Sequence, residues 1–117
     1  MAKAGFDFEE LLARVENDRE LMRDLLLIFK AEFPEHHRAL GEAVGSGDAK
    51  RIVSEAHSLK GMLSNLAAHE CAEAAARLEL LARNGGTSEF KERFAEFERL
   101  ASELLPELES CLMEETR

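Results

Sequence analysis

The sequence predicts an all-α fold: an antiparallel up-and-down four-helix bundle with a short extra N-terminal helix. Three observations predict it. Every periodic segment places its apolar residues at helical spacing. No run alternates apolar and polar residues as a half-buried strand does. The breaks between segments are short and suited to turning one helix back beside the last.

Asp7 can cap a first helix over Phe8 to Val15, with Glu9 and Glu10 at its positive end. Asn17-Asp18 is a break and a new cap. The second helix carries Leu21, Leu25, Ile28 and Phe29 on one stripe, with Met22, Leu26 and Phe33 beside it. Pro34 is a place for a kink or a division, and the pattern resumes at Leu40, Ala43 and Val44. Gly45-Ser46-Gly47-Asp48 stops this helix and caps the next. The third helix runs from about Ala49 to Leu66, with Ile52, Ala56, Leu59, Leu63 and Leu66 as a narrow core seam.

Ala67-Ala68-His69 forms a short joint before a fourth helix bearing Cys71, Ala74, Ala75, Leu78 and Leu81. Asn84-Gly85-Gly86-Thr87 is the last break, with Thr87 or Ser88 as the cap. The final helix carries Phe90, Phe94, Phe97, Ala101, Leu104, Leu108 and Cys111. Pro106 should kink it or loosen a turn, and Glu114 to Arg117 should fray. Tandem repeats are absent, so a solenoid is excluded.

The 117 residues fit one domain over 1–117, and a hydrophobic share of 45% suffices for one core. Against 24 Asp+Glu there are 15 Lys+Arg, a net charge of −9, which argues against nucleic acid or an anionic membrane surface as the main partner. The N-terminus lacks the long apolar run of a signal peptide, and no run reaches the roughly 18 apolar residues of a membrane span. A cytoplasmic, free-standing protein is expected. Cys71 and Cys111 lie at apolar helix positions and read as free buried thiols. No zinc spacing occurs, and the paired Glu-x-x-His of a bundle metal site is missing, so no metal is expected. His36 and His37 are neighbours that cannot face one site together and read as surface residues; His69 reads as an exposed or capping residue at a joint.

The chemistry concentrates in the third helix. At about 100° per residue, His57 lies about 130° from the centre of the core seam, on the outer face or its edge. Lys50, Ser54, Lys60, Gly61, Ser64 and Ala68 fall near it, and none has a bulky apolar side chain. A neutral imidazole is a competent nucleophile near neutral pH. Lys60, one turn away, can offset negative charge on an incoming phosphoryl group. Gly61 costs about 1 kcal/mol inside a helix relative to alanine and has no cap or turn role in the sequence. It leaves an open approach to the imidazole.

The run Ala56-His57-Ser58-Leu59-Lys60-Gly61-Met62-Leu63-Ser64-Asn65-Leu66 resembles the signature of histidine-containing phosphotransfer (HPt) domains of bacterial phosphorelays. Phe6-Asp7-Phe8-Glu9-Glu10-Leu11, Leu25-Leu26-Leu27-Ile28-Phe29 with Phe33-Pro34, Gly47-Asp48, and Ala74-Ala75-Ala76-Arg77-Leu78-Glu79 extend the likeness over most of the chain. The resemblance implies that His57 is the phosphoacceptor, Lys60 the electrostatic assistant and Gly61 the opening for a receiver domain. Lys50, Ser54, Ser64 and Ala68 are the expected docking face, and the Phe29–Phe33 stripe contributes at most a rim. Two departures stand out: Ala67 where glycine is common, and Met62-Leu63 in place of small residues. Leu63 falls on the seam and should affect packing only; Met62 on the flank could alter partner choice.

The implied partners are response-regulator receiver domains and a hybrid histidine kinase, met by a monomer. The implied activity is a shuttle without ATP-dependent kinase activity of its own. It has no cofactor; Mg²⁺ is expected on the partner receiver. The sequence shows no Gly-rich nucleotide loop or kinase motif. The rival reading is a binding module that docks on a receiver or kinase and inhibits it with His57 unused. The joint presence of His57, Lys60 and Gly61 counts against it.

Overall fold

The computed structural model describes residues 6–85 and 88–115. Among them are five helices and no strand: α1 (Phe8–Arg14), α2 (Arg19–Ser46), α3 (Ala49–Asn65), α4 (His69–Arg83) and α5 (Phe90–Glu115). Residues 1–5, 86–87 and 116–117 lie outside this description. So do the expectations for the chain's opening, for Thr87 as a cap and for the last two residues of the frayed end.

The helices start where side-chain acceptors stand ready. Asp7 accepts from the Glu10 N–H at 3.0 Å, Asp18 from Leu21 at 3.0 Å and Asp48 from Arg51 at 3.2 Å, each satisfying a donor that the first turn leaves unpaired. Gly47, at φ +70°, ends α2 in the left-handed conformation that glycine adopts without steric cost. Pro34 and Pro106 sit inside α2 and α5 without dividing them.

The core seam of α3 is as expected: Ile52, Ala56, Leu59 and Leu63 are fully buried, and Leu66 nearly so. In α2 the buried stripe is Met22, Leu26, Phe29, Phe33 and Leu40, while Leu21 and Ile28, expected on the main stripe, are 44% and 53% exposed. Phe29, expected on that same stripe, is buried, and the residues expected beside it are buried too. The aromatic side of the helix turns inward, where Phe33 stacks on Phe29 and meets Phe97 of α5 at 6.4 Å between ring centroids. His37, expected on the surface, packs with its ring against Phe33, Phe94 and Phe97, because position 37 follows Phe33 by one turn. Cys71 is buried, whereas Cys111 is only half-buried near the end of α5.

α3 packs against α2 on one side and α4 on the other, and α5 packs against both α4 and α2. The pairs His36–Glu55 at 2.9 Å and Glu42–Arg51 at 3.7 Å climb α2 as they descend α3. Lys30–Glu109 at 2.7 Å and His37–Glu98 at 3.4 Å do the same between α2 and α5. Such exposed pairs add little stability. The driving force is burial of residues such as Leu26, Leu59, Leu78, Phe97 and Leu104, at about 1.5–3 kcal/mol each.

α1 closes one end of the bundle. The Asp7 N–H donates to the Ala67 carbonyl at 3.0 Å, Arg14 donates to the Ser64 carbonyl at 2.7 Å, and Leu11 is fully buried. Ala67 takes φ +60°. A side chain in this left-handed conformation costs about 1–2 kcal/mol, which accounts for the preference for glycine there.

Candidate functional site

α3 presents His57 to solvent with 63% of its side chain exposed. Position 57 lies off the seam of Ile52, Ala56 and Leu59, so the helix carries the imidazole to the boundary with α4. There Nδ1 lies 3.2 Å from Oε2 of Glu79. Glu79 is the one charged side chain buried among the described residues, only 7% exposed. It accepts from Arg83 Nη2 and Nε at 2.8 and 3.1 Å on Oε2, and Lys60 Nζ stands 3.0 Å from Oε1 as an ion pair.

Burial pushes the Glu79 carboxyl up, but Arg83, Lys60 and His57 beside it outweigh that and bring it down to about 2. The group is therefore an anion at neutral pH and can only accept. In the neutral imidazole this places the ring proton on Nδ1 and the lone pair on Nε2, a nitrogen with no partner among the described residues.

Gly61 lies one turn from His57, and a Cβ built on it would meet nothing within 4 Å. The space around this position is open. Lys50, Ser54 and Ser64 are exposed on α3. Lys50 also lines an open groove with Ala49, Val53, Ala82 and Arg83, between the start of α3 and the end of α4.

Ala68 does not belong to this face. It is fully buried, at the N-cap position of α4. The helical face that holds His57 stops with α3 at Asn65, and the chain turns through Ala67 at φ +60° before the buried position 68. Of the departures from the family pattern, Leu63 is fully buried and Met62 half-buried, so the bulk at these positions goes into packing. Phe29 and Phe33 are core residues and contribute no rim.

His36 pairs with Glu55 and His69 with Glu10 at 2.8 Å, both away from His57. Among the described residues no cluster of three or more His, Cys, Asp or Glu is placed to hold a metal ion. No helix among them is long and apolar enough to cross a membrane.

Glu79 and Arg83 are site residues that the sequence pattern around His57 does not point to. A signal existed: Glu79 interrupts an otherwise apolar face of Ala72, Ala75, Leu78 and Ala82, and Arg83 follows at the i,i+4 spacing of an ion pair. What the sequence does not display is that this carboxylate faces α3 at the level of His57.

Neither the curated proteins nor the solved structures yield a match to this chain. The family comparison does. The model described as "Hpt domain" matches residues 24–112, which include α3, α4 and the whole cluster of His57, Lys60, Glu79 and Arg83. The chain belongs to the Hpt domain family, the phosphotransfer modules of two-component signalling.

Proposed function

We propose that this chain is a phosphorelay intermediate in which His57 accepts a phosphoryl group from a receiver-domain aspartate and passes it to the aspartate of another response regulator. The observation that carries this reading is the exposed imidazole whose Nδ1 is tied to a buried, ionised carboxylate while Nε2 has no partner among the described residues. In the forward step the Nε2 lone pair forms the N–P bond. The acyl-phosphate O–P bond breaks, and the aspartate carboxylate leaves with the electron pair.

Nδ1 keeps its proton through the step. The positive charge that develops on the ring is met by Glu79 at 3.2 Å. Lys60, one turn along α3, supplies positive charge near the incoming phosphoryl oxygens. Gly61 gives the receiver its approach, and Lys50, Ser54 and Ser64 form the docking face. The donor brings the phosphoryl group and its receiver the Mg²⁺, so the chain needs neither nucleotide nor cofactor of its own.

The same reading takes the chain as one domain, an antiparallel up-and-down four-helix bundle with α1 as an added cap. It acts as a cytoplasmic monomer whose partners are receiver domains and a hybrid histidine kinase. The test is incubation with phosphorylated receivers, with mass spectrometry and acid treatment of the product. An acid-labile, base-stable gain of one phosphoryl group on His57 is expected. Receiver binding without any such label would replace the shuttle by the inhibitory binding module.

A further inference from the structure

Glu79 carries two cations on opposite oxygens, brought by different helices. Lys60 of α3 stands at Oε1, 3.0 Å away. Arg83 of α4 holds Oε2 through Nη2 and Nε, the oxygen that also faces His57. The two cations differ in what else they can reach. Lys60 shares a helix with His57 and lies one turn from it, so its flexible stem can turn to a group on Nε2. Arg83 is bound from the next turn of Glu79's own helix by a planar fork, a pairing that does not depend on α3.

The energetics make this division matter. A carboxylate only 7% exposed tolerates its charge because it is paired. A phosphoryl dianion on His57 competes with Glu79 for Lys60. If Lys60 were the sole counter-charge, turning to the phosphoryl group would strand a buried anion beside a second anionic group. With Arg83 in place, Oε2 stays paired and stays aimed at Nδ1 while Oε1 releases the lysine.

Building on the phosphoacceptor reading above, we propose that Arg83 is a positioning residue. It fixes the Glu79 carboxylate on Nδ1 of His57 and frees Lys60 to turn from Glu79 to the phosphoryl group. Arg83 acts through Glu79 and does not itself touch the phosphoryl oxygens.

The test uses the full chain with phosphoramidate as donor. The Nε2 lone pair forms the N–P bond to phosphorus, the donor's P–N bond breaks, and its nitrogen leaves as ammonia. Initial labelling rates are compared for wild type, Arg83→Gln, Arg83→Lys, Glu79→Gln and the double variant Glu79→Gln/Arg83→Gln. In parallel, ¹⁵N NMR of the imidazole reports the fraction of His57 carrying its proton on Nδ1.

Arg83→Gln is expected to slow labelling about fivefold, within the range of coupled neighbours, and to lower the Nδ1–H fraction. Arg83→Lys should recover most of both. In the Glu79→Gln background the Arg83 substitution should change the rate less than about twofold, because no buried anion remains to neutralise. An equal loss in both backgrounds would mean that Arg83 meets the phosphoryl group directly, and would overturn the proposal. So would wild-type rates and an unchanged ¹⁵N signature in Arg83→Gln. Failure of wild type to take label at His57 would instead remove the phosphoacceptor reading, and the tautomer measurement would still decide whether Arg83 controls Glu79.

Discussion

Oε2 of Glu79 lies 3.2 Å from Nδ1 of His57 across the α3–α4 boundary, a buried carboxylate against an exposed imidazole. The contrast in burial divides the labour. Glu79 is fixed by its surroundings and holds one ring nitrogen, while the His57 ring itself stays largely in solvent.

Replacing the imidazole should therefore remove the chemistry and leave the bundle. For His57→Gln, no acid-labile label should form from phosphoramidate or a phosphorylated receiver. The thermal melt should move by no more than a surface substitution does, within about 0.5 kcal/mol. Labelling equal to wild type would put the reacting group on another histidine.

Glu79 adds an acid-sensitive contribution to stability. Its folded-state value of about 2 lies below the ordinary 4.5, so the unfolded chain takes up the proton first as pH falls. The stabilisation is fully present above about 4.5 and is lost as pH drops through about 2. It amounts to something on the order of 3 kcal/mol. Urea unfolding at about pH 5.5 and about pH 3 should show a smaller loss of stability on acidification in Glu79→Gln than in wild type. Equal losses would show that the pairing with Lys60 and Arg83 does not reach the folding equilibrium.

Gly61 separates stability from access. Its added Cβ would meet open space, so Gly61→Ala should stabilise α3 by about 1 kcal/mol with little effect on labelling by a small donor. Gly61→Leu should keep the fold but slow transfer from a receiver, whose surface must close over His57. The informative comparison is phosphoramidate against receiver: the leucine variant should lose rate with the receiver alone. Equal receiver rates for wild type and leucine would deny Gly61 an access role.

The two thiols should react differently. Burial pushes the Cys71 thiol from 9.0 up to about 12, and its side chain has no exposure to solvent. A thiol–disulfide reagent at mildly alkaline pH should modify Cys111 in the folded protein and reach Cys71 only after denaturant is added. Rapid native labelling of Cys71 would show that α4 opens more readily than its packing implies.

Much of this was legible in the sequence because local chemistry and periodicity agree. Asp7, Asp18 and Asp48 cap the helices that they were expected to cap. The α3 seam is buried where its spacing put it, and His57 and Gly61 stand on the open face. The failures lie where a choice depends on a neighbour. α2 is apolar over a wide arc, and its packing against α3 and α5 decides which part of that arc is buried. His37 reads as a surface residue until three phenylalanines surround it. Ala68 was misplaced because one residue at positive φ ends the helical wheel, and Glu79 joined the site only when α4 set it opposite His57.

The closure of the bundle end by α1 bears on where this chain can be cut. The family match begins at residue 24, partway along α2, so it leaves out α1. A fragment started there would strip the Ser64 and Ala67 carbonyls of Arg14 and the Asp7 N–H, and would remove the buried Leu11 and Met22 from the core. The injury would fall two turns beyond His57, on the helix that carries it. An excised piece meant for binding or transfer work should begin no later than Phe6. A shorter one would report on a frayed histidine helix and understate what the intact chain does.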